Sequence, residues 1–331
     1  MKTSVNQSAK DNKTMKLTNR ISRSVIITSL AAVILTTLSL QAKAPSDNAS
    51  VPMTMTITAS VDESKRMPEI QKEDIFVKKG QVRLPVASWT AAQGDRAGLE
   101  LFILIDDASN SSIGNKLDEL RTFISAQPET TAVGIAYLRN AVVQILQDPT
   151  SDHALASKAL RLPLATAGAY GSPYLSVVDL MKRWPETSNR REILLITDGI
   201  DRAGRGGNAL LNPDVDTAAN VAQRAGVMIH TLYSPGVGHW HRSYWRAING
   251  QNAMAKLSDA TGGESYFLGL GSPVSFTPYL DSLQKVLDNQ FVLSFLVSPE
   301  KKAAWQYINV STEIPGVDLG AADAVWVPAA K

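Results

Sequence analysis

Residues 102–112 read FILIDDASNSS, and the prediction of the fold rests on them. Four apolar residues, 102–105, lead directly into two aspartates, Asp106 and Asp107. A continuous apolar run predicts a strand that is buried on both faces, which is typical of a parallel sheet covered by helices. Ligand sites in such sheets lie beyond the carboxyl ends of the strands. The residues that follow position 105 are therefore the first candidates for function.

Oxygen-bearing side chains alternate in the loop after this strand. Asp107, Ser109 and Ser111 are spaced by two residues, and this spacing in an extended chain directs side chains to the same side. One carboxylate and two hydroxyls form an all-oxygen set, which is the kind that hard cations such as Mg²⁺ prefer. Taken alone, the pattern is also explained by an acidic loop that only caps the next helix.

Two further motifs follow in register. Residues 171–173 read Gly-Ser-Pro and precede a segment with a helical pattern, and residues 193–196 form a second apolar run that ends in Thr-Asp-Gly at 197–199. The order D-x-S-x-S, then G-S-P before a helix, then strand-T-D-G resembles the metal-ion-dependent adhesion site (MIDAS) of von Willebrand factor A (VWA) domains. The resemblance covers about residues 99–298.

The resemblance implies a metal site and a binding function. The cation would be Mg²⁺, or Mn²⁺ or Ca²⁺, and its ligands would be Asp107, Ser109, Ser111, Ser172 and Asp198, with Ser172 standing where the family usually has Thr. In this family an acidic side chain of a protein partner completes the metal's coordination shell. We therefore expect a protein-binding module with Mg²⁺-dependent adhesion, and no enzyme.

Strands and helices alternate along the rest of the central region. This alternation predicts an α/β fold with a doubly wound, mainly parallel sheet and small flanking β segments. The turn at Arg139 and Asn140 predicts a hairpin that adds one antiparallel strand. We expect strands of the two flanks to pair in a small β unit. The expected organisation is a leader at 1–44, a linker and short β segment at 45–97, a VWA domain at 98–298 and a C-terminal β segment at 299–331.

The leader has the features of a targeting segment. Residues 1–44 carry seven basic side chains and one acidic side chain, and residues 25–40 are an uncharged apolar run followed by Ala-Lys-Ala. Cleaved export and retention as an N-terminal membrane anchor both fit this pattern. Either outcome places the body of the protein outside the cytoplasm, in the periplasm, in the cell envelope, on the inner membrane or outside the cell. The chain has no cysteine, so neither disulfides nor a thiol nucleophile contribute.

Two loops are predicted to border the site, at residues 199–212 and 234–250. They contain candidate partner contacts of two kinds, cationic and aromatic or imidazole. These candidates are Arg202, Arg205, His239, Trp240 and Trp245. The aromatic loop at 239–245 could serve as a binding surface that needs no metal, or it could fold back over a hydrophobic edge. Its His-x-His pair lacks a third zinc ligand nearby in sequence.

A Mg²⁺-dependent hydrolase is the remaining alternative. Two aspartates after a buried strand are also similar to haloacid-dehalogenase-like phosphatases, whose chemistry needs a nucleophilic Asp and a second Asp two residues later. Here Ser109 stands two residues after Asp107, so the acid–base partner is missing. The sequence therefore favours binding over catalysis.

Overall fold

The computed structural model describes residues 50–62, 66–165, 171–203, 212–237, 243–267 and 269–330. The predicted leader at 1–44 lies outside the described residues. The described residues form fifteen strands and six α-helices. The strands are β1 Val51–Val61, β2 Ile75–Lys79, β3 Val82–Leu84, β4 Val86–Ala91, β5 Leu99–Asp106, β6 Thr131–Arg139, β7 Val142–Thr150, β8 Arg190–Thr197, β9 Val227–Tyr233, β10 Ser265–Tyr266, β11 Gln290–Val297, β12 Ala304–Tyr307, β13 Asn309–Thr312, β14 Val317–Gly320 and β15 Ala324–Val327. The helices are α1 Leu117–Ser125, α2 His153–Lys158, α3 Pro173–Arg183, α4 Pro213–Ala225, α5 Tyr244–Thr261 and α6 Thr277–Asp288.

The central sheet has six strands in the order β10-β9-β8-β5-β6-β7. Its neighbouring strands are parallel except β7, which pairs antiparallel with β6. The hairpin turns at Asn140 and Ala141, whose φ angles are 54° and 62°, and two positive φ values are typical of the tight turns that match strand twist. The predicted α/β fold with a doubly wound, mainly parallel sheet is confirmed.

Residues of the central strand β5 alternate between the two faces of the sheet. Leu101, Ile103 and Ile105 pack in one buried cluster with α1, α2 and α6. Phe102 and Leu104 pack in a second buried cluster with α3, α4 and α5. Because successive side chains of a strand point to opposite faces, this alternation also decides where the two aspartates at its end are directed.

Two helices begin at residues that cap them. The Asp152 carboxylate accepts a hydrogen bond from the Leu155 amide at 3.0 Å at the start of α2. Helix α4 begins at Pro213, after Asn212 accepts from the Asp214 amide at 3.0 Å. Both arrangements satisfy amide groups that the first turn of a helix leaves unpaired.

Strands from the two flanks pair outside the central sheet. A four-stranded sheet has the order β14-β1-β11-β4, a three-stranded sheet has the order β13-β2-β3, and β12 pairs with β15. The sequence predicted a linker where β1 forms an eleven-residue strand. Threonines alternate with buried apolar residues in β1, and its pairing with β11 over eight residues stabilises it.

Strand β11 belongs to this flanking unit and not to the central sheet. It pairs with β1 and β4, so the central α/β region ends with α6 at Asp288 and not at the predicted residue 298. A run of alternating buried and half-buried residues in β11 fits either sheet, and only the pairing decides.

Among the described residues, no helix has both the length and the apolar character needed to cross a membrane.

Candidate functional site

Polar side chains meet at the carboxyl ends of β5 and β8, where the strand order of the central sheet reverses. Asp106, the last residue of β5, accepts hydrogen bonds from the Ala108 amide at 2.8 Å and from the Thr197 hydroxyl at 2.7 Å. Asp198 follows β8 and accepts from the Ile200 amide at 3.0 Å. This edge is the position at which open α/β sheets place ligands.

An arginine lies between these two carboxylates. Arg202 donates through Nη2 to Oδ2 of Asp198, and its Nη1 lies 3.8 Å from Oδ2 of Asp106. The arginine side chain is 5% exposed, so its charge is held in the protein interior. We call Asp106, Asp198 and Arg202 the carboxylate–arginine cluster.

The cluster keeps the guanidinium charged. Burial alone would lower the pKa of Arg202, but the charges of Asp198 and Asp106 outweigh it and raise the pKa above its ordinary value. Burial raises the pKa of Asp106, against the opposing effect of Arg202, and the charge of Asp198 adds to the rise. One buried cation is therefore shared by two carboxylates, of which Asp106 holds its negative charge less readily than a carboxylate in water.

The loop after β9 closes over the cluster. Gly236 forms an isolated antiparallel bridge with Ser109, and the Val237 amide donates to the Ala108 carbonyl at 2.8 Å. A Cβ atom at Gly236 would clash with Oδ2 of Asp198 and with Nη2 of Arg202. The absence of a side chain at this position allows the close approach.

Asp107 does not join this cluster. Its carboxylate accepts two hydrogen bonds from Arg161, at 2.7 and 2.9 Å, and a third from the Leu164 amide at 3.1 Å. The Arg161 guanidinium lies over the ring of Tyr137 at 3.8 Å. The sequence-based choice of Asp107 is therefore corrected to Asp106, because the alternation of β5 directs Asp106 to the face of Phe102 and Leu104.

The three predicted serine ligands have different environments. The hydroxyls of Ser109 and Ser172 are buried and have no hydrogen-bond partner among the described residues. Ser172 precedes α3 and lines a cavity of about 10 Å³ together with Asp106 and Arg202, which is space for about one water molecule. Ser111 is exposed and begins a 3-10 helix, so its predicted place beside the other two is corrected.

The residues as arranged do not fit a divalent cation. The Arg202 guanidinium already lies between the two carboxylates, and a second cation there would be repelled. Counted from Asp106, the two hydroxyl positions of the D-x-S-x-S pattern are taken by Ala108 and Asn110. Ala108 carries no oxygen in its side chain, and the Asn110 side chain accepts from the Ser112 amide at 2.9 Å. Within the described part of the chain, no three His, Cys, Asp or Glu residues are grouped as metal ligands would be.

The structure describes only some of the residues that were predicted to contact a partner. Arg202 is buried, so its predicted place on the binding surface is corrected. Trp245 is 73% exposed and its neighbour Tyr244 is 61% exposed. Arg205, His239 and Trp240 lie outside the described residues.

Two features of the site were not predicted from the sequence. The position of Asp106 could have been found, because counting the alternation back along the apolar run separates it from Asp107. The pairing of Arg161 with Asp107 joins residues that are 54 positions apart. No local pattern at Arg161 indicates this partner.

Comparison with known proteins gives similarity of fold alone. No protein-family model matches the sequence, and no curated protein does. The chain is similar to the solved structure of BatB from Bacteroides thetaiotaomicron, with 13% identity over 57% of this chain and 97% of that chain and a TM-score of 0.41. It is similar to an aerotolerance-related membrane protein from Bacteroides fragilis, with 14% identity over 58% and 99% of the two chains and a TM-score of 0.40. It is also similar to the ArnB paralog VWA2 from Sulfolobus acidocaldarius, with 9% identity over 84% and 76% and a TM-score of 0.39.

The strand order, the single antiparallel strand and the position of the motifs at one sheet edge are those of a VWA-like fold. Its edge site departs from the MIDAS pattern, because an arginine is shared by the two strand-end carboxylates.

Proposed function

We propose that this protein is an exported or envelope-tethered VWA-like module that binds a protein partner at the carboxyl edge of its central sheet without a metal. The observation that carries the proposal is the exposed aromatic pair Tyr244 and Trp245. Large exposed aromatic side chains are enriched among the residues that dominate protein–protein binding energy.

The aromatic pair projects beyond the carboxylate–arginine cluster. Helix α5 packs closely on the turn after β8, since a Cβ atom at Gly250 would clash with the Asp198 carbonyl oxygen. Tyr244 precedes Gly250 by six residues, which corresponds to about 9 Å along a helix. The Ser258 hydroxyl of α5 lies 3.2 Å from the Thr231 hydroxyl of β9, so the helix runs back along the sheet from Gly250. Its first turn therefore lies beyond the carboxyl edge of the sheet. The two rings pack edge to face with centroids 6.0 Å apart, so they form one exposed surface.

The chemistry of this surface indicates the kind of partner. The pair offers apolar area at the first turn of α5. The positive end of the α5 dipole lies at the same place. A protein segment that presents an apolar side chain next to an Asp or Glu would be complementary to both features.

Mg²⁺-dependent adhesion is a second candidate, and one observation favours it. The buried hydroxyls of Ser109 and Ser172 lack hydrogen-bond partners among the described residues, and buried polar groups normally have one. A bound Mg²⁺, Mn²⁺ or Ca²⁺ could provide it only if Arg202 left the cluster. Hydrolysis is less well supported, because both strand-end carboxylates are engaged with Arg202 and neither is free to act as a nucleophile.

Affinity capture followed by a direct binding measurement tests the proposal. An envelope protein retained by the immobilised chain would be identified by mass spectrometry, purified, and titrated against the wild type and two variants. We expect Trp245→Ala to weaken binding by about thirtyfold or more, which corresponds to about 2 kcal/mol. We expect Tyr307→Ala, which removes an aromatic side chain that is 75% exposed on β12, to have no effect.

The metal dependence of the same complex separates the candidates. Binding that persists in EDTA and is lost in Trp245→Ala supports the metal-free module. Release by EDTA supports Mg²⁺-dependent adhesion instead. Equal affinities of Trp245→Ala and Tyr307→Ala would contradict a role in binding for the surface formed by Tyr244 and Trp245.

A further inference from the structure

Hydrogen bonds to backbone carbonyl groups hold Arg202 in place at both its amide and its guanidinium. Its amide donates to the Gly171 carbonyl at 3.1 Å, and its Nη1 donates to the Ile200 carbonyl at 3.3 Å. Gly199, which lies between Asp198 and Arg202, has a φ of 68°, in the left-handed region that favours glycine. The backbone therefore fixes both ends of the arginine.

The position of the guanidinium is the one that a cation would need in order to join the two strand ends. It contacts the carboxylate of Asp198 and lies 3.8 Å from that of Asp106. The cavity of about 10 Å³ beside Ser172 leaves no room for a hydrated ion next to it. A planar, permanently charged group with several donors can link two carboxylates in this way.

We propose that Arg202 is the resident cation of this edge and takes the place of a divalent metal ion. The guanidinium links the end of β5 to the turn after β8, and the bridge between Ser109 and Gly236 adds the loop after β9 to the same assembly. The edge therefore keeps its conformation in the presence of chelators. This inference concerns the cation alone and does not depend on whether the aromatic pair binds a partner.

The inference predicts that removal of the Arg202 guanidinium would allow a divalent cation to bind at this edge. Removing the guanidinium frees two carboxylates beside the buried hydroxyl of Ser172. Ala108→Ser would return a hydroxyl to the position that the D-x-S-x-S pattern assigns when it is counted from Asp106. The double variant Arg202→Ser/Ala108→Ser therefore offers oxygen ligands without a competing cation.

Titration of the purified full-length chain with MnCl₂ tests this prediction by electron paramagnetic resonance of free Mn²⁺. We expect no saturable binding by the wild type or by Arg202→Lys, which keeps a cation at the position. We expect the double variant to bind one Mn²⁺ with a dissociation constant on the order of 1 mM or lower. Adding Asp198→Asn to the double variant should abolish this binding.

Thermal unfolding of the same proteins covers the case in which the double variant is unfolded without metal. Mn²⁺ should then restore its folding, whereas it should leave the unfolding temperature of the wild type unchanged. Saturable Mn²⁺ binding by the wild type that is lost in Asp198→Asn would overturn the inference. A folded double variant that binds no Mn²⁺, or an unfolded one that Mn²⁺ does not restore, would overturn it equally.

Discussion

The pair formed by Arg161 and Asp107 gives the sharpest stability prediction. The Asp107 side chain is 0% exposed, whereas that of Arg161 is 29% exposed. Replacing Arg161 by Met removes both charge-assisted hydrogen bonds and leaves a buried carboxylate with one remaining donor, the Leu164 amide. Replacing Asp107 by Asn leaves the cation without its partner, but that cation already reaches solvent.

The difference in exposure sets the expected magnitudes. Breaking a buried ion pair so that one charge stays buried without compensation costs about 3–5 kcal/mol. We expect Arg161→Met to lower the free energy of unfolding by that amount. We expect Asp107→Asn to cost about 1–3 kcal/mol, since an amide still accepts hydrogen bonds and the guanidinium can be hydrated. The arginine variant should therefore be the less stable of the two.

Urea unfolding at neutral pH, followed by tryptophan fluorescence, measures both values from the midpoint and the slope. Arg121→Met is the matched control, because Arg121 pairs at 2.7 Å with Asp118, whose side chain is 88% exposed. An exposed pair of this kind contributes about 0–1 kcal/mol. If Arg161→Met were no more destabilising than the control, or less destabilising than Asp107→Asn, the structural role assigned to this pair would be wrong.

Two further predictions concern acid stability and location. Partial burial alone would raise the pKa of Glu119, but hydrogen bonds from Ser275, Phe276 and Thr277 hold that pKa below its ordinary value of 4.5. Its carboxylate therefore stabilises the folded state fully above pH 4.5 and loses this effect as the pH falls through the lower folded-state pKa. The unfolding temperature of Glu119→Gln should consequently depend less on pH in the acid range than that of the wild type. Cell fractionation should recover the protein outside the cytoplasm, and the mass of the mature N-terminus should distinguish release after residue 42 or 44 from retention of residues 25–40. Unprocessed protein in the cytoplasm would contradict export.

The sequence predicted the class of fold because the relevant signals are local. An apolar run such as 102–105 specifies a strand buried on both faces wherever it packs, and helical periodicity specifies which side of each helix faces the sheet. Turn chemistry at Asn140 acts over a few residues and was likewise readable. The sequence also indicated the sheet edge that carries Asp198, since motifs that follow parallel strands meet at one edge.

The flanking strands were only partly predictable. The residues of β1 alternate weakly, and the strand is stabilised by pairing with β11, more than two hundred residues later in the chain. Nothing in the sequence of either segment indicates that the two strands pair. Strand propensity depends on such partners more strongly than helix propensity does, so the extent of β1 and the sheet to which β11 belongs are decided by tertiary pairing.

The order of apolar runs and polar loops along the chain specifies which residue types reach the edge of the sheet: carboxylates, hydroxyls and arginines in loops after buried strands. How their charges pair depends on the folded arrangement. Asp106 and Asp107 are adjacent in sequence, yet β5 directs them to opposite faces, where Arg202 meets one and Arg161 meets the other. The physical reason is that electrostatic pairing depends on distance and burial in space. A motif with the spacing of a metal site can therefore form a site in which an arginine of the same chain is the cation.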